Sequence, residues 1–177
     1  IKTYEKVIKD LRNIEYKGGI IYSGFSEPIL YKYSFEAIKL TRKLLPKNRI
    51  EMVTNGDHLE LKNLLKLFNS GLTQISVSLY DGPHQIEKFL NLKKKAKLTD
   101  DQFDLRYRWV KEESYGINIT NRAGAINMPE LKVNRLNKGL RKKCFYPFYQ
   151  IMVDYDGSVL LCNHDWYKKL ILGNIKN

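Results

Sequence analysis

Apolar residues along this chain alternate between two spacings: a helical one, every third or fourth position, and short unbroken runs. Tyr4, Val7, Ile8, Leu11 and Ile14 fall on one face of a helix over residues 3–15, which Gly18 and Gly19 break. Ile20, Ile21 and Tyr22 form a short apolar run that enters Ser23-Gly24-Phe25-Ser26-Glu27-Pro28, the pattern of a strand ending in a polar turn. Ser34 is placed to cap a second helix carrying Phe35, Ile38, Leu44 and Leu45, and Pro46 stops it.

The same unit then recurs. Residues 49–53 predict a strand closed by Thr54-Asn55-Gly56, and Asp57 with Glu60 has capping-box spacing ahead of a helix through Leu61, Leu64, Leu65 and Phe68. Residues 74–79 predict the next strand, closed by Tyr80-Asp81-Gly82, and Ile86, Phe89 and Leu90 mark another helix. Residues 103–110 and 115–120 predict two further strands. Strands alternating with helices every ~25–30 residues imply right-handed crossovers and a parallel sheet. A closed eight-stranded barrel takes about 250 residues. The fold class expected is therefore α/β, a partial (β/α) barrel or open sheet of parallel strands over residues 1–140.

Residues 141–177 differ in character. Asp156-Gly157 between two β-rich runs predicts a hairpin, because Gly accepts the positive φ of a tight turn. Cys144 lies well before that turn and Cys162 five positions after Gly157, so simple hairpin register does not set the two thiols opposite each other. A C-terminal β-hairpin cysteine module is expected here.

Composition changes the picture little. The chain has 177 residues, 43% of them hydrophobic, enough for a real core. No apolar run is long enough to span a membrane and the N-terminus lacks a signal-peptide pattern, so the cytoplasm is the expected location. The net charge of +12 fits an anionic partner, but the lysines sit between apolar helix positions and no nucleic-acid-binding signature accompanies them. A solvated face is the expected reading and nucleic acid is not the expected partner. Two cysteines are too few for a disulfide scaffold and leave a bridge, core thiols or metal ligands open.

Polar clusters close each predicted strand: Ser23 to Pro28, Thr54 to Gly56, Ser78 to Gly82, Arg106 with Arg108, and Asn121 to Gly124. In parallel α/β folds that edge binds ligands. Turns are polar in any case, which accounts for Asn55-Gly56 and Asp81-Gly82. It does not account for Glu27 before a proline, or for two arginines flanking Tyr107. Alternation puts both arginines on one face.

The segment Ser23-Gly24-Phe25-Ser26-Glu27-Pro28 resembles the glycine-glycine-glutamate strand end of radical S-adenosylmethionine (SAM) enzymes, with Ser26 where glycine is usual. The resemblance implies that Glu27 receives the SAM amino group. It places Ser23, Gly24, Ser26, Thr54, Asn55 and Ser78 around SAM, and assigns Arg106 or Arg108 to its carboxylate, a task suited to a planar guanidinium. Asn121 and Arg122 resemble a segment expected near the adenine. The run from Cys144 through Gly157 to Cys162, with four residues between the last two, is similar to the opening of SPASM-type iron–sulfur modules, and Gly173-Asn174-Ile175 fits as well. The resemblance implies metal ligation by Cys144 and Cys162. His58 reads as a surface residue, and the family pattern gives His164 no ligand role.

The family's Cys-x-x-x-Cys-x-x-Cys loop, which holds the catalytic 4Fe–4S cluster, is not in these 177 residues. A fragment of a longer protein, itself inactive, is expected rather than a degenerate copy. The resemblance implies an oxidoreductase or maturase that forms a 5′-deoxyadenosyl radical and abstracts hydrogen. Its substrate would be a peptide, sugar or other small molecule, and a flavodoxin or ferredoxin would supply electrons. The alternative is a non-enzymatic basic α/β module binding nucleic acid or a protein.

Overall fold

The computed structural model describes residues 1–109, 121, 123–139 and 141–177, in two compact units, Ile1–Asn118 and Ile119–Asn177. Among the described residues no helix is long and apolar enough to cross a membrane.

The first unit runs α1 (Lys2–Asn13), β1 (Ile20–Tyr22), α2 (Ser34–Leu44), β2 (Ile50–Thr54), α3 (Leu61–Asn69), β3 (Gln74–Leu79), α4 (His84–Ala96) and β4 (Phe103–Tyr107). The strands form one sheet in the order β1-β2-β3-β4, every pair parallel. Sequential order is what one-directional crossovers produce when each helix returns the chain to the next strand.

Side-chain alternation splits this sheet into two chemically different faces. Ile50, Met52, Ile75, Val77, Leu79 and Phe103 are buried against Ile38, Leu64, Leu67 and Phe89 of the helices. The residues between them, Glu51, Ser76, Ser78, Asp104 and Arg106, occupy the opposite face. Burying a Leu, Ile or Phe contributes about 1.5–3 kcal/mol each, so the helix-covered face holds the unit together and the other is left to polar chemistry. A hydroxyl cluster of Tyr4, Tyr22 and Thr41 fastens α1 to β1 and α2. Burial pushes both phenols up, Tyr22 further by the neighbouring Tyr4, so both stay protonated donors.

Several local expectations need correction. Ser34 does not cap α2 from outside; it is the first helical residue, and its hydroxyl donates to the carbonyls of Pro28 and Tyr31. The Asp57–Glu60 capping box does not form. Asp57 is drawn to Asn55, accepting from Asn55 Nδ2 at 2.9 Å, and Glu60 precedes α3 without a capping bond. Leu90 is 50% exposed; Phe89 is the buried anchor of α4. β4 ends at Tyr107 rather than residue 110, and the strand expected at residues 115–120 lies outside the described residues.

The second unit contains a three-stranded antiparallel sheet, β5 (Met152–Val153), β6 (Ser158–Leu160) and β7 (Ile171–Asn174), in that order. The β5–β6 turn is closed by the Asp154 N–H to the Ser158 carbonyl and the Gly157 N–H to the Asp154 carbonyl, each 2.9 Å. Gly157 has φ of +90°, and a Cβ there would come within 2.8 Å of Asn174 Oδ1. Its carbonyl accepts from Ile175 N–H at 3.0 Å. The close approach of Gly157 to Asn174 is thus a contact that only glycine permits.

Candidate functional site

The carboxyl ends of β1 and β2 are joined by one side chain. Glu27 follows β1, and its Oε1 accepts from Thr54 Oγ1 at 2.7 Å and from Ile29 N–H at 3.1 Å. Its Oε2 accepts from Asn55 N–H at 2.8 Å. Thr54 Oγ1 accepts in turn from Gly56 N–H at 3.0 Å. Pro28 explains the local path: it opens a one-turn 3₁₀ segment, Pro28–Leu30, capped by the Glu27 carboxylate itself. Three donors leave about one of the carboxylate's roughly four acceptor positions for a further donor. Glu27 is half-buried, while Ser23, Gly24 and Ser26 are exposed on the same turn.

The two arginines are separated by what holds them. Arg106 Nη2 donates to Glu51 Oε1 at 2.7 Å and its Nε to Asp104 Oδ2 at 3.3 Å. Glu51 is only 2% exposed and also pairs with Arg49 and accepts from Ser76 Oγ at 3.2 Å. A carboxylate so buried needs paired charge, and Arg106 supplies it by reaching across β3 to β2. Arg108, just past β4, sits at the strand ends: its N–H donates to the Leu79 carbonyl at 2.9 Å and its Nε to Ser78 Oγ at 3.3 Å.

In the second unit Asn121 staples its own loop, its side chain bonding Ile126 N–H and the carbonyls of Ile126 and Asn134. Arg122 lies outside the described residues. Cys144 is exposed and Cys162 half-buried, both free thiols. Among the described residues no group of three or more His, Cys, Asp or Glu is placed to hold a metal ion.

Cys162 opens the loop between β6 and β7. His164 N–H points at its sulfur, 3.4 Å away, and the Asp165 N–H donates to its carbonyl. Lys168, in the same loop, forms ion pairs with Asp154 and Asp156 of the β5–β6 turn. The Ser158 backbone N–H, with Lys168 adding to it, holds the Asp156 carboxyl down to about 2, and the Asp154 contact raises the Lys168 ammonium.

The sequence reading missed three features: Glu51 as a buried charge, the Asp104–Arg106 pairing and the Lys168 clamp. Glu51 carried a signal, a charged residue inside an otherwise apolar strand. The clamp had none, since it joins residues twelve or more positions apart through an irregular loop.

Comparison with known proteins agrees with the resemblance found in the sequence. Residues 144–177 match the SPASM family, an iron–sulfur cluster-binding domain, with Cys144 opening the match and Cys162 inside it. Along nearly its whole length the chain is similar to the S-adenosyl-L-methionine-dependent 2-deoxy-scyllo-inosamine dehydrogenase of Niallia circulans, 25% identical over 173 residues. That alignment covers 97% of this chain, which spans 64% of the relative's length. Its fold matches the crystal structure of BtrN in complex with AdoMet and 2-DOIA, with TM-score 0.75, 23% identity and coverage of 99% of this chain and 65% of that one. The open conformation of BtrN gives TM-score 0.67 at 21% identity, covering 99% and 62%. The resemblance to radical SAM proteins carrying a SPASM module is borne out.

Proposed function

We propose that this chain is the SAM-holding and auxiliary-cluster portion of a radical SAM dehydrogenase acting on a small hydroxylated molecule. The observation that carries the reading is the iron–sulfur domain match over residues 144–177 on a chain similar over 97% of its length to a SAM-dependent dehydrogenase. The four parallel strands supply part of a (β/α) barrel, and residues 141–177 begin the cluster module. Bound SAM and a reduced cluster would supply hydrogen-atom abstraction; the protein supplies binding, orientation and exclusion of water.

The residues fit those groups. Glu27 has acceptor capacity remaining at the carboxyl edge and would take the SAM ammonium, with Ser23, Gly24, Ser26, Thr54 and Asn55 shaping the turn around it. Arg108 with Ser78 stands at the same edge and would hold the SAM carboxylate. Arg106 is committed to Glu51 and Asp104 and would fix the polar face rather than touch SAM. Cys144 and Cys162 are thiols of the type iron–sulfur clusters require, half of the usual four. The His164 N–H beside Cys162 would stabilise a thiolate. With both cysteines in the second unit, the chain holds no ligand set for a catalytic cluster and is proposed to be inactive alone.

Anaerobic reconstitution with iron and sulfide tests the reading. Retained iron and visible charge-transfer absorbance are expected, lost in Cys144→Ser/Cys162→Ser. Iron retained equally by that variant, or not retained at all by the parent chain, would remove the cluster assignment.

A further inference from the structure

The turn that closes β2 carries the chain's single Asn-Gly pair, Asn55-Gly56. Glycine is compulsory at its second position. Gly56 has φ of +80°, and a Cβ there would lie 2.5 Å from Phe89 Cζ and 2.7 Å from Val77 Cγ1, both in the buried core. The fold thereby commits this strand end to a dipeptide whose second nitrogen no side chain shields. That nitrogen is the one placed to attack the asparagine side chain before it.

The electrophile is prepared. Asn55 is half-buried, and its Oδ1 accepts from Asp57 N–H at 3.0 Å, an arrangement that draws electron density from Cγ. Its Nδ2 donates to Asp57 Oδ2 at 2.9 Å. The nucleophile is tied. Gly56 N–H donates to Thr54 Oγ1 at 3.0 Å, and the buried Thr54 gives its own hydroxyl proton to Glu27 Oε1 at 2.7 Å. With that proton committed, the Thr54 lone pairs are turned to Gly56. Glu27 Oε2 accepts from Asn55 N–H at 2.8 Å, so one carboxylate holds both ends of the arrangement.

We propose that Asn55 is a deamidation site and that Thr54 and Glu27 form the latch that holds it closed. When local opening releases the latch, the Gly56 nitrogen bonds to Asn55 Cγ and the Cγ–Nδ2 bond breaks. The Gly56 proton ends on the departing ammonia. Water then opens the cyclic imide at either carbonyl, leaving aspartate or isoaspartate at position 55; nothing is oxidised or reduced. In isoaspartate the main chain runs through Cβ and Cγ. That lengthened path moves Gly56 from its place between Phe89 and Val77, so the strand-end turn is lost irreversibly. The latch sits at the edge assigned to SAM, but its chemistry does not depend on that assignment.

The test incubates the full chain in mildly alkaline buffer and reads amide-to-carboxylate conversion by peptide mass mapping. Asn69-Ser70 at the end of α3 serves as the reference within the same chain, its Ser70 N–H held by the Lys66 and Leu67 carbonyls. Thr54→Val keeps the side-chain shape and removes the acceptor for Gly56 N–H. We expect conversion at Asn55 to rise severalfold in Thr54→Val, and also in Glu27→Ala, with Asn69 unchanged in both. The folded parent should convert Asn55 severalfold more slowly than the same chain in urea. Equal rates in the parent and Thr54→Val, or a parent as fast folded as in urea, would overturn the latch. A parallel rise at Asn69 would overturn it too, since the route would then be global unfolding.

Discussion

The Glu27 carboxylate accepts the Asn55 backbone N–H at 2.8 Å, so a residue leaving β1 fixes the turn that leaves β2. The bond does two things at once: it sets the turn's shape and leaves carboxylate capacity facing the strand ends.

These two roles are separable by substitution. Glu27→Ala removes three hydrogen bonds and should cost about 2–3 kcal/mol, near 1 kcal/mol per hydrogen bond, read from urea unfolding. It should also weaken SAM binding, measured by equilibrium dialysis, by about tenfold or more, since bonds to a charged group contribute about 1.5–3 kcal/mol. Reduced stability with unchanged SAM affinity would leave Glu27 as a loop tie only.

Arg106 and Arg108 should give opposite phenotypes. Arg106→Met leaves the Glu51 carboxylate with Arg49 as its remaining ion-pair partner and the Ser76 hydroxyl as a donor. Breaking a buried pair costs about 3–5 kcal/mol, and the half-open guanidinium and surviving partner reduce this to about 2 kcal/mol. SAM affinity should hold. Arg108→Met should lower SAM affinity. If Arg106→Met proves the one that releases SAM, the assignment of the carboxylate to Arg108 is wrong.

The contrast between these arginines marks what the sequence could and could not say. β1, β2 and β3 were legible because turns containing Gly or Asn flank each of them, and β1 and β3 match to the residue. Alternation put both arginines on one face but could not tell which would be claimed by Glu51, a contact across β3 that no local pattern encodes. The capping box failed for a related reason: Asp57 had a nearer partner in Asn55, and local hydrogen bonding outcompeted the cap. In the second unit Gly157 was legible by its turn chemistry. Lys168, with φ of +50° in an irregular loop, was not.

Gly157→Ala tests whether the glycine of the cysteine motif is there for backbone reasons. At φ of +90° and with Asn174 Oδ1 at 2.8 Å from the new Cβ, the variant should lose about 1–3 kcal/mol in unfolding of the second unit. Iron uptake should fall with it, because Cys162 lies on the strand end that this turn positions. Asn174→Ala removes the steric conflict but not the φ penalty, so Gly157→Ala/Asn174→Ala should recover only part of the loss. Full recovery would assign the requirement to crowding rather than to φ.

The Lys168 clamp gives the Cys162 loop a pH window whose limits follow from its two partners. The Asp156 carboxyl lies at about 2 in the folded chain against an ordinary 3.8, chiefly through the Ser158 backbone N–H. A depressed carboxylate stabilises above its unfolded value, and that contribution disappears as pH falls through about 2. Lys168 is shifted the other way, raised above 10.5 first by Asp154, so its contribution is complete below 10.5 and disappears as pH rises through the higher folded value. The clamp is therefore whole across the neutral range and fails only at the extremes. In thermal melts followed by the near-ultraviolet signal of Trp166, Asp156→Asn should flatten the acid limb between 3.8 and about 2, and Lys168→Met the alkaline limb above 10.5. Both should lower the midpoint at neutral pH. An acid limb unchanged by Asp156→Asn would mean that other carboxylates carry it, and that the Cys162 loop is held by its backbone bonds rather than by charge.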